Sequence, residues 1–77
     1  MRAYALIEVE PGATEVVSRI RSFSLQNCKV IAERLYSSEV IVHFEATELA
    51  DLNTALTDLL SGVSAILRIT LLRITER

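Results

Sequence analysis

Apolar residues in this chain recur first at every second position, then at helical spacing, and the two periods alternate to the end. From Ala3 to Glu10, Ala3, Ala5, Ile7 and Val9 share one side while Tyr4, Leu6, Glu8 and Glu10 share the other. That alternation predicts a strand with a wholly apolar inward face. Pro11-Gly12 closes it, because proline cannot donate to a strand ladder and glycine permits a turn. From Ala13 to Phe23 the period lengthens: Val16, Val17, Ile20 and Phe23 face one way, and Glu15, Ser18, Arg19 and Arg21 the other. An amphipathic helix is expected there. Glu15 in its first turn and Arg19 and Arg21 in its later turns suit the helix dipole. Ser22–Asn27 is a polar connector in which Asn27 suits the special backbone angles of a turn.

Two strands follow. Cys28–Tyr36 places Cys28, Val30 and Ala32 on one side and Lys29, Ile31, Glu33 and Leu35 on the other. Glu39–Ala46 places Val40, Val42, Phe44 and Ala46 inward, with Ile41, His43 and Glu45 opposite. Tyr36-Ser37-Ser38-Glu39 between them reads as a hairpin turn. Thr47–Ser61 carries a continuous stripe of Leu49, Leu52, Leu56, Leu59 and Leu60, with Thr47 as the expected N-cap and Glu48 and Asp51 in the first turn. Gly62 stands where a helix end favours a left-handed residue. Val63–Thr75 returns to strand character, with Ile66, Leu67, Ile69, Leu71, Leu72 and Ile74 giving apolar residues on both faces, punctuated by Arg68, Arg73 and Arg77. No repeat, linker or low-complexity tract is read, so residues 1–77 are taken as one domain.

The order β-α-β-β-α-β in so short a chain predicts an α+β, ferredoxin-like arrangement: a four-stranded antiparallel sheet with both helices on one face. The expected core is Ala5, Ile7, Val9, Val30, Ala32, Val40, Val42 and Phe44 against the helix stripes. The opposite face offers Tyr4, Leu6, Ile31, Leu35 and Ile41 and one apolar side of the last strand, broken by Glu8, Glu33, His43 and Glu45. A solvated sheet face is ordinarily polar, and a patch of this extent marks an interaction surface. Two copies paired sheet to sheet, in the manner of a dimeric α/β-barrel, would bury it. The expected interface residues are Tyr4, Leu6, Ile31, Leu35, Ile41 and His43.

Composition narrows the alternatives. A domain of 77 residues buries only about 60% of the surface its unfolded chain exposes, so it needs a further source of stability. Cys28 is the single cysteine and His43 the single histidine, which excludes an internal disulfide and a Cys/His zinc pattern. Self-association remains. The net charge is −2, no Lys/Arg cluster occurs and there is no tryptophan. These features predict no direct binding to nucleic acid, which needs a basic face or stacking aromatics. Glu8 and Glu10 interrupt the N-terminal apolar run, and no apolar run reaches the roughly 20 residues of a membrane span. A cytoplasmic protein without a membrane partner is expected. No nucleophile–base pair, phosphate-cradling loop or metal cluster is identifiable, so neither catalysis nor a cofactor or metal is expected.

The opening AYALIEVEPG, the hairpin strand SEVIVHFEA, the TELADLNTAL helix and the SGV that leads into the last strand resemble the effector-binding domain of the Lrp/AsnC family, also called the RAM domain (regulation of amino-acid metabolism). The resemblance spans essentially the whole chain. It implies sheet-to-sheet dimers that assemble into rings, commonly octamers, with an amino acid or related metabolite bound between dimers near the turn joining strands two and three. Full-length members carry an N-terminal helix-turn-helix; this chain begins at the first strand and is expected to be a stand-alone form, able to co-assemble with a full-length Lrp/AsnC-type regulator. By this resemblance the effector-binding residues are Tyr36, Ser37, Ser38, Glu39, Ser64 and Arg68. The family's Gly-x-Tyr-Asp turn is replaced here by Tyr36, Ser38 and Glu39 at the Gly, Tyr and Asp positions, and Arg68 stands where a Thr is usual.

Each of these residues also has a plainer role. Glu39 is either an ammonium receptor or a solvated hairpin carboxylate. Arg68 either grips an effector carboxylate by two prongs or pairs with Glu8, Glu33 or Glu45. Ser37, Ser38 and Ser64 either meet a ligand or serve the backbone. His43 suits an interface hydrogen bond or a pH-sensitive contact better than acid–base chemistry, and Cys28 reads as a small apolar core residue. Three functions follow from the sequence: a regulatory domain with a small-molecule effector, an assembly or adaptor protein without one, and, least favoured, a small dimeric-barrel enzyme using His43, Glu8 and Arg68.

Overall fold

In a computed structural model, which describes residues 1–75, the chain forms β1 (Arg2–Val9), α1 (Val16–Ser22), β2 (Cys28–Tyr36), β3 (Glu39–Ala46), α2 (Leu49–Gly62) and β4 (Ile66–Thr75). Arg77 lies outside the described residues. The strands make one antiparallel sheet in the order β2-β3-β1-β4, an open α+β sheet compatible with a ferredoxin-like arrangement. Both helices lie on one side of it. Val16 and Ile20 of α1 and Leu52 and Leu59 of α2 form a single core with Ala3, Ala5, Ile7 and Val9 of β1 and Val40, Val42, Phe44 and Ala46 of β3. The regular alternation of β1 and β3 produces that face directly. No helix among the described residues is long and apolar enough to cross a membrane.

The helices depart from expectation at their ends. Residues 11–15 are spent on turns, with Gly12 at a φ of 83° and the Ala13 N–H donating to the Glu10 carbonyl, so α1 starts at Val16 and Glu15 is its N-cap. Glu48, not Thr47, caps α2: its N–H donates to the Asp51 carboxylate at 3.2 Å. Gly62 is not a left-handed stop. It is the last helical residue, and a Cβ there would stand 2.5 Å from the Phe23 ring. Besides Gly12, the left-handed positions among the described residues are Asn27, as its turn requires, and Ser37 in the hairpin, at φ values of 55° and 36°.

The two edge strands are irregular. In β2 the register slips between Val30 and Ala32, so Val30 pairs with Phe44 but Ala32 pairs with His43. Ile31 is the extra residue of a β-bulge, and beyond it the strand's inside and outside exchange. Ala32, expected in the core, is on the open face. Glu33 and Leu35, expected on the open face, pair with Val42 and Val40 on the helix side. The ion pair of Glu33 with Arg21 of α1 follows from that exchange, and the Glu33 side chain is only 5% exposed. β4 has two such slips against β1, leaving Leu67 and Leu72 unpaired. They coincide with a repeat missed in the sequence: Leu-Arg-Ile-Thr occurs at 67–70 and again at 72–75.

Candidate functional site

The open face is ordered as four rows across the strands. Lys29, Glu45, Arg2 and Thr75 form one end; Ala32, His43, Tyr4 and Arg73 come next; then Arg34, Ile41, Leu6 and Thr70; and Tyr36, Glu39, Glu8 and Arg68 form the hairpin end. Charged groups are concentrated in the two outer rows. Glu45 accepts from both Arg2 and Lys29 at 3.4 Å. The Lys29 hydrogen bond, aided by Arg2, holds its carboxyl below the usual range against the opposing effect of partial burial. At the hairpin end Arg68 donates to Glu8 at 2.7 Å. Between these rows lie the apolar and aromatic side chains of β1 and β3, with Arg34 and Arg73 on the edge strands beside them.

At the centre, the Tyr4 and His43 rings stack with centroids 4.2 Å apart and planes inclined by 11°. Direct cross-strand pairing of residues 4 and 43 brings the rings together, as facing side chains on adjacent strands do. His43 Nε2 is shielded from solvent and has no hydrogen-bond partner. Beside the stack, towards β2, the single methyl of Ala32 leaves a hollow of about 390 Å³ lined also by Arg34, Tyr36, Ile41 and Glu33.

Of the expected interface residues, Tyr4, Leu6, Ile41 and His43 lie on the open face; Ile31 is the unpaired residue of the bulge, and Leu35 is turned to the helix side by it. Of the expected effector residues, Tyr36 and Glu39 face each other across the hairpin, and Arg68 shares their row. Ser37, Ser38 and Glu39 line a hollow of about 420 Å³ with Glu8 and Leu67. The Ser38 carbonyl accepts from the Val9 N–H at 3.0 Å, a backbone role. Ser64 is not brought to this end; it lines a separate hollow with Gly12–Val16 and Arg19. Sequence reasoning missed Ala32 and Arg34 of β2 and Arg73 of β4 as open-face residues; for Arg73 the repeated Leu-Arg doublets of β4 were the available signal.

The remaining chemical candidates are dispersed. Cys28 is half-buried, and burial, with the Asp51 charge as a lesser cause, pushes its thiol up. No three His, Cys, Asp or Glu side chains among the described residues are grouped to hold a metal ion. No family model, curated protein or solved structure matches the chain.

Proposed function

We propose that the chain is a non-catalytic regulatory domain that acts by assembly, two copies pairing through their open sheet faces and the dimers associating further or combining with a full-length relative. The observation that carries this is the arrangement of the open face: an apolar and aromatic centre on β1 and β3, flanked by Arg34 and Arg73 on the edge strands and lying between two rows that carry ion pairs. Protein interfaces have that anatomy, an apolar core inside a polar rim. Four strands about 4.8 Å apart and eight residues of about 3.3 Å make a face of roughly 500 Å². A pair would bury about 1,000 Å², the lower bound of a specific interface. The regulatory role, the ferredoxin-like identity of the fold with dimeric-barrel pairing, and a cytoplasmic setting are what the Lrp/AsnC resemblance adds to the proposal.

Sedimentation equilibrium at micromolar concentration tests the pairing. The protein is expected as a dimer or a ring of dimers, and Ile41→Arg, which puts a charge at the centre of the face, should disperse it because a buried unpaired charge is costly. A monomeric parent protein, or an Ile41→Arg variant that stays assembled, overturns the proposal.

An amino-acid effector at the hairpin end is a second possibility, favoured by one observation. Glu39 stands beside Glu8 and makes no ion pair among the described residues, so two carboxylates face the hollow there and suit an ammonium group. Arg68, the expected partner for the effector carboxylate, is held by Glu8. A thermal-shift screen against the common amino acids distinguishes the two: a ligand present at about 100 times its Kd stabilises the native state by about 2.7 kcal/mol, and assembly without an effector predicts no shift.

A further inference from the structure

We propose that the hollow beside the Tyr4–His43 stack binds a small planar aromatic carboxylate. The site goes beyond self-association and rests on the pairing proposed above only for its roof, since a second copy laid on the open face would close it.

Four observations converge on this ligand. The first is the space, which at about 390 Å³ falls among small-molecule sites. It exists because the bulge at Ile31 sets Ala32, the smallest side chain on that part of the strand, opposite His43. The second is the shape of the walls. The stacked rings of Tyr4 and His43, the Tyr36 ring and the Ile41 side chain are flat or apolar, and aromatic pairs gain from offset or edge-to-face contact with a further ring. The third is charge. Arg34 makes no ion pair among the described residues, and its row neighbours Ile41, Leu6 and Thr70 are uncharged. Glu33, next in sequence, has its carboxylate turned to the helix side and held by Arg21, and Glu39, one row away, does not pair with Arg34. A guanidinium fork without an anion suits a carboxylate, which it can grip with two parallel hydrogen bonds. The fourth is the solvent-shielded, unpartnered Nε2 of His43, a polar atom available to a second oxygen or a ring substituent. No unengaged acid lines the hollow, so an ammonium group has no partner there and free amino acids do not fit.

The test is a titration of the ¹⁵N-labelled protein with benzoate, with benzamide as its neutral analogue and acetate as the anion without a ring. Benzoate is expected to shift the amides of Tyr4, Ala32, Arg34 and His43. Binding should weaken about tenfold for benzamide and for benzoate on Arg34→Gln, as loss of a charge-assisted hydrogen bond requires. Ala32→Leu, which fills the hollow, should remove binding while preserving the dispersed spectrum. Equal affinity for benzamide, an unaffected Arg34→Gln variant, or shifts confined to the hairpin end would overturn the site. Thr70→Arg separates this question from pairing, because Thr70 pairs with Leu6 on the open face and does not line the hollow. Benzoate bound by monomeric Thr70→Arg upholds the site whether or not the parent protein pairs. A parent dimer that ignores benzoate overturns the site and leaves the pairing intact.

Discussion

The helix-covered face of the sheet and its open face use the same strands and obey different constraints. On the covered side β1 and β3 contribute eight side chains, all apolar and none more than 4% exposed. Those positions are specified by burial alone, and any apolar residue of the right volume serves. On the open side apolar, aromatic and charged positions fall in rows, so identity matters as well as hydrophobicity. The first face explains why the chain folds. The second is where it has something left to do.

If that division is right, the largest difference should come from truncating equivalent aromatics on the two sides. Phe44→Ala, emptying a fully buried site, should cost about 3–5 kcal/mol in urea unfolding, a large part of the roughly 4–12 kcal/mol expected for a domain this size. Tyr4→Ala, on the open side and 39% exposed, should cost far less when both are compared as monomers. An equal loss would show that the open face is part of the folding core.

A smaller effect separates the ion pairs of the two sides. Arg21→Ala strands the Glu33 carboxylate, which is 5% exposed, and should cost about 1–2 kcal/mol by the same measurement. Removing Lys29, whose partner Glu45 has another cation beside it, should cost less. The hairpin tip belongs to neither face, and its strain is local: Ser37→Gly relieves a left-handed serine and should add about 0.5–1 kcal/mol.

The smallest effect is one of pH. The carboxyl of Glu45 is held below its ordinary value of 4.5 by Lys29 and Arg2, so the folded state binds its proton less readily than the unfolded chain. The resulting stability is present above pH 4.5 and is lost as pH falls through the lowered value. Glu45→Gln should therefore lower the neutral plateau slightly and flatten the acid limb of the unfolding curve. An unchanged acid limb would mean that the Arg2–Glu45–Lys29 row does not hold in solution.

The element order and the inward faces of β1 and β3 were legible because those central strands are regular: alternation assigns Ala5, Ile7, Val9, Val40, Val42 and Phe44 to the core, where they are found. Alternation fails at β2, where one extra residue exchanges the sides of Ala32, Glu33 and Leu35. A bulge is set by pairing with a neighbouring strand, and nothing in a single strand's pattern of polarity announces it. The hairpin end of the site was legible because sequence-adjacent residues must meet there; Ser64, placed by resemblance alone, lies elsewhere. The hollow beside Ala32 was illegible for the same reason as the bulge that makes it.

The doubled Leu-Arg-Ile-Thr of β4 has a consequence for how that strand is kept in phase. A repeat of five residues is odd, and in a regular strand its second copy would emerge on the wrong side. Each copy here carries one unpaired leucine, so it consumes four ladder steps, and both arginines and both threonines return to the open face while both isoleucines return to the helices. The strand counts in fours against β1 and in fives along the chain. Deleting the unpaired Leu72 would leave a four-residue repeat that keeps both copies in step without a bulge, and a third five-residue copy with its own bulge could be added without reversing any side chain.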